Sequence, residues 1–111
     1  TDDTLPIVKF GAWYPLSTAG DLAPAGEGVL QLRLASGLVD YPRGKSAMVW
    51  YEHAADARTA AKALAVRFAG TDLVCRHLIA VEASVDLAAF CAKLREDFER
   101  RFGTVPHFEQ S

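Results

Sequence analysis

Leu30, Leu32 and Leu34 alternate with Gln31 and Arg33, and a second short apolar run, Ala47-Met48-Val49-Trp50-Tyr51, follows after a Gly/Pro-punctuated stretch. Alternation with a period of two puts the leucines on one face of an extended chain and the polar residues on the other, the pattern of a half-buried antiparallel strand. The polar face of this first strand should meet water. The second run carries bulk at both parities, with Ala47, Val49 and Tyr51 against Met48, Trp50 and Glu52, so it reads as a central strand. The segment between them, Gly37 to Ser46, gathers turn formers, Tyr41, Arg43 and Lys45. It reads as a long exposed connection between two strands of a hairpin.

Helical spacing takes over at Asp56 to Ala69, where Ala57, Ala60, Ala61, Leu64 and Phe68 share a face and Gly70 is placed to end the helix. Leu73 to Glu82 returns to alternation with β-branched content and predicts a third strand. Leu87, Phe90, Cys91, Leu94, Phe98 and Phe102 then form one helical stripe, with Ser84 as candidate cap, Asp86 at the positive N-terminal end, and Gly103 and Pro106 as the stop. The order strand, strand, helix, strand, helix predicts an α+β domain: a small three-stranded, largely antiparallel sheet with helices packed on one face. Its expected bounds are 28–103. Before it, residues 1–27 mix Pro and Gly with Phe10, Trp13, Tyr14 and Leu16 and predict an irregular arm docked on the domain, and residues 104–111 form a tail.

At 111 residues, half of them hydrophobic, the chain suits one core. Its net charge of −2 lacks the broad positive field of a general nucleic-acid binder, so contact with phosphate would be local. With no apolar run of about 20 residues and no basic-then-apolar leader, the sequence predicts a cytoplasmic protein without a membrane role. Cys75 and Cys91 fall inside apolar patterns and lack CxxC spacing, which predicts buried thiols rather than a zinc or redox pair. His53, His77 and His107 have no second ligand at metal spacing, so neither a metal nor a cofactor is expected. Gly44-Lys45-Ser46 lacks the upstream glycine of a phosphate-binding loop, since Val39 stands there, and a strand rather than a helix follows it. The alternating acids and arginines of Arg95 to Arg101 read as a solvated helix face.

The element order, with Gly28-Val29-Leu30 opening the first strand and Trp50-Tyr51-Glu52 closing the second, resembles the GIY-YIG nuclease fold. That resemblance implies a metal-dependent DNA endonuclease with tyrosines from the two strand motifs, an arginine from the next helix and a metal-holding glutamate from a later one. Here Leu30 and Trp50 stand at the tyrosine positions, Glu52 stands at the motif glycine, and Arg58 and Glu99 are the nearest counterparts of the arginine and glutamate.

The residues themselves point to a non-catalytic binding or regulatory module. Trp13, Tyr14, Tyr41, Pro42, Arg43 and Lys45 are the candidate contacts, since aromatic and arginine side chains anchor protein interfaces. A protein partner is the leading expectation. The alternatives are the nuclease, with Trp50, Arg58 and Glu99 as its set, a nucleic-acid-binding relative without cleavage, and self-association through a sheet edge.

Overall fold

The computed structural model describes residues 8–106. Pro6, His107 and the outer parts of the expected arm and tail lie outside the described residues. Within them the chain is α+β, built on an antiparallel sheet, but the sheet is wider than three strands. Strands β1 (Val8–Phe10) and β2 (Tyr14–Pro15) come from the segment read as irregular, and a short helical turn with α1 (Ala19–Leu22) follows them. Next come β3 (Gly28–Leu34), β4 (Val39–Tyr41), β5 (Gly44–Ser46) and β6 (Met48–Ala54). Helix α2 (Ala57–Arg67), strand β7 (Leu73–Val81) and helix α3 (Leu87–Phe102) complete the order.

The main sheet runs β1-β7-β3-β6, with β2 also on β7, while β4 and β5 form a separate hairpin. Strand β3 is flanked on both sides, so Leu30 lies between His77 and Glu52, and Leu32 between Cys75 and Trp50. Because β6 and β7 both run antiparallel to β3, they are parallel to each other, and α2 is the crossover between them. The expectation that the second strand is central is corrected: β6 lies at the sheet's margin. Its bulk at both parities reflects cover on both faces, not partners on both sides.

That two-sided cover is the second correction. Leu30, Leu32, Val49 and Cys75 pack against Ala57, Ala61, Leu64 and Phe68 of the α2 side. Val29 and Leu78, on the opposite parity, pack against Leu87 and Cys91 of α3, with Tyr51 and Phe10 beside them. One helix therefore lies on each face. Gln31, expected to face water, is only 3% exposed because the α3 face is also occupied.

Local chemistry places the helix ends. The Asp56 carboxylate accepts from the Arg58 and Thr59 amides at 3.1 and 3.4 Å and caps α2, and those bonds hold its carboxyl below the usual carboxylate range. Asp86, rather than Ser84, caps α3 by accepting from the Ala89 amide at 3.1 Å. Gly103 ends that helix in the left-handed conformation at φ 89°, where a side chain would be strained.

Candidate functional site

The connection between β3 and β6 is a structured hairpin, not an open loop. Asp40 pairs with Lys45 and Tyr41 with Gly44 across a turn formed by Pro42 and Arg43. Tyr41 points inward: it is 6% exposed, donates its hydroxyl to the Met48 carbonyl at 2.6 Å, and meets Phe98 edge-on at a centroid distance of 4.9 Å. It belongs to the packing between hairpin and helix. The turn is fastened to the end of α3, where the Arg43 amide donates to the Phe102 carbonyl at 2.9 Å and its guanidinium to the Arg100 carbonyl at 3.3 Å. Pro42, Arg43 and Lys45 remain exposed, with Lys45 3.5 Å from the Asp40 carboxylate.

Docking the hairpin against α3 leaves a groove of about 420 Å³ between them. Met48, Tyr51, Leu94, Phe98 and Phe102 supply its apolar surface, and Lys45, Arg101 and Asp97 its charged rim. Met48 is an adaptable wall, because its unbranched thioether refits to different shapes. Burial pushes the Tyr51 hydroxyl above its ordinary range even though Arg76 pulls it down. The Arg95 guanidinium donates to the Tyr51 carbonyl at 2.7 Å from the other side.

Trp13 and Tyr14 are neighbours in sequence but lie in different environments. Tyr14 enters the α2-side core, where its hydroxyl lies 2.6 Å from Nδ1 of His77, and the Cys75 thiol donates to the same hydroxyl at 3.8 Å. Trp13 instead has the guanidinium carbons of Arg33 and Arg76 at 4.1 and 4.5 Å from its ring centroid. The expected contact set is therefore divided among the hairpin, the core and a cationic–aromatic patch on the sheet.

The residues carried by the GIY-YIG resemblance are engaged separately. Trp50 donates from its indole to Glu52 at 2.9 Å and stacks under Arg67 at 4.5 Å. Arg58 gives its Nε–H to the Ala23 carbonyl at 2.9 Å on the α2 side, whereas Glu99 lies on α3, across the sheet. Among the described residues no group of three or more His, Cys, Asp or Glu side chains is arranged to hold a metal.

Arg33, Arg76 and Gln31 were not singled out by sequence reasoning as binding residues. The available signal was the polar parity of two alternating strands, but a cation on that parity looks like an ordinary solvated side chain until the strands are paired. No helix among the described residues is long and apolar enough to cross a membrane. Comparison with protein-family models, with curated proteins and with solved structures finds no match.

Proposed function

We propose that this chain is a non-catalytic binding module whose working surface is the groove between the β4–β5 hairpin, β6 and the C-terminal half of α3, and that its ligand is an apolar segment of a protein partner flanked by acidic residues. One observation carries the reading: an open, aromatic- and Met-lined channel with Lys45 and Arg101 at its rim. Apolar lining excludes water around an inserted side chain, and rim cations orient an acidic segment while adding little affinity when exposed. Pro42 and Arg43, held against the end of α3, extend the rim, and Tyr41 supports the groove from beneath. The hairpin contributes as a wall, not as a projecting tip.

A photo-crosslinking side chain at Met48, compared with one at Val66 on the exposed face of α2, tests this. Crosslinks to an acidic–apolar partner segment from Met48 alone, lost in Lys45→Glu/Arg101→Glu, are the expected result. Equal crosslinking from both positions, or indifference to the charge reversals, overturns it.

A further inference from the structure

Two arginines meet around one tryptophan on the α3 face of the sheet. Gln31 pairs with Arg76 and Arg33 with Val74 in the β3–β7 register, so Arg33 and Arg76 are diagonal neighbours on the same side of adjacent strands. Their guanidinium carbons lie 4.1 and 4.5 Å from the Trp13 ring centroid, and Arg76 also lies 4.7 Å from the Phe10 ring. Among the described residues Arg76 is oriented by one side-chain acceptor, donating its Nε–H to Gln31 Oε1 at 2.7 Å. Gln31 is the one buried polar side chain among the described residues.

This pair lacks a counter-charge among the described residues. Among the described residues no carboxylate forms an ion pair with Arg33 or Arg76, although Lys45, Lys93 and Arg100 each have an aspartate partner. Burial and the neighbouring Arg33 charge lower the Arg76 pKa from its ordinary value, so its cation is held at a cost that an anion would relieve. Adjacent like charges on one sheet face destabilise the pair, and partial burial strengthens their repulsion. Stacking on Trp13 and Phe10 offsets part of that cost and holds both guanidinium planes in place.

We propose that Arg33, Arg76 and Trp13 form a binding site for a phosphoryl group. A phosphate dianion neutralises both cations at once and offers three terminal oxygens to the guanidinium N–H groups that Gln31 leaves free, whereas one carboxylate neutralises a single cation. Two sources share that chemistry: a small phosphate-bearing molecule and a phosphorylated side chain of a partner. The proposal does not depend on the groove reading, because the site consists of other residues.

The experiment follows the indole N–H resonances of the full chain in two-dimensional NMR. The sequence has two tryptophans, and Trp50, stacked under Arg67 on the α2 side, serves as the internal reference. Inorganic phosphate should shift the Trp13 signal saturably and leave Trp50 in place, while acetate should require at least about tenfold higher concentration. Arg33→Gln should weaken phosphate binding at least about tenfold, and Arg67→Gln should not change it. Arg33 makes no side-chain hydrogen bond among the described residues, so its replacement removes the charge and its stack on Trp13 but breaks no hydrogen bond of the fold; Arg33→Lys then asks whether a planar fork is needed. A phosphoserine peptide that outcompetes both inorganic phosphate and its unphosphorylated twin identifies a modified partner, and parity between the peptide and inorganic phosphate identifies a small ligand. Equal shifts from chloride at matched ionic strength, undiminished binding in Arg33→Gln/Arg76→Gln, or no shift of Trp13 overturns the site.

Discussion

The Tyr14 hydroxyl and His77 Nδ1, 63 residues apart in sequence, lie 2.6 Å from each other across the β2–β7 pairing. Burial raises the Tyr14 hydroxyl well above its ordinary range, so it stays protonated, and with the His77 proton on Nε2 it donates to Nδ1. The Cys75 thiol completes a chain of donors running thiol to hydroxyl to imidazole.

The His77 pKa is lowered by burial, so the fold favours neutral imidazole. As pH falls below about 6.5, the unfolded chain takes up this proton first, and stability is lost until the lower folded pKa is reached. Thermal melts should therefore show a falling midpoint from about pH 7.5 to pH 5. His77→Asn, which keeps an acceptor for Tyr14, should flatten that dependence; an unchanged slope would assign it to other groups.

Burial pushes the Cys75 thiol up to about 11 and raises Cys91 as well. The thiolate is the reactive species, so native protein near neutral pH should resist alkylation. Mass spectrometry after iodoacetamide treatment should find both cysteines unmodified in buffer and both modified in urea. Rapid native labelling of Cys75 would contradict the packing around Tyr14.

Phe98 is 5% exposed and meets the rings of Tyr41, Tyr51 and Phe102 at centroid distances of 4.9, 6.1 and 4.4 Å. Phe98→Ala should cost about 3–5 kcal/mol in urea unfolding, because it deletes a ring that joins hairpin, sheet and helix. Tyr41→Phe keeps the ring and loses the hydroxyl with its bond to the Met48 carbonyl, and should cost about 1 kcal/mol.

Gly70 and Gly103 have nearly the same φ, 88° and 89°, in different surroundings. A Cβ at Gly70 meets nothing within 4 Å, whereas at Gly103 it would lie 2.9 Å from the Pro42 Cβ. Gly70→Ala should cost about 1 kcal/mol, the left-handed penalty alone. Gly103→Ala should cost more and speed amide exchange at Arg43, whose N–H donates to Phe102. Equal costs would mean that the turn yields freely.

Much of the framework could be read from periodicity, and its limits follow from what periodicity omits. The stripes of α2 and α3, the alternation of β3 and β7, and the stop at Gly103 are local signals, and they appear where local chemistry dictates. Pairing is nonlocal: nothing in Val8–Phe10 or Tyr14–Pro15 announces β7 as a partner, and short strands among Pro and Gly resemble irregular chain. The assignment of both helices to one face failed because a strand bulky at both parities suits either a central strand or a doubly covered one. At the candidate site, Lys45 was legible as an exposed cation, whereas Tyr41 was misread because its inward course depends on the hairpin docking against Phe98. Arg33 and Arg76 meet only through the β3–β7 register, which no stretch of either strand encodes alone.

Two side chains spend their donors on main-chain oxygens of the marginal strand β6: Tyr41 on Met48 and Arg95 on Tyr51. A foreign strand seeking to extend the sheet there would find those acceptors already satisfied and an arginine standing in its approach. These two contacts thus insulate the rim of the sheet against edge-to-edge stacking.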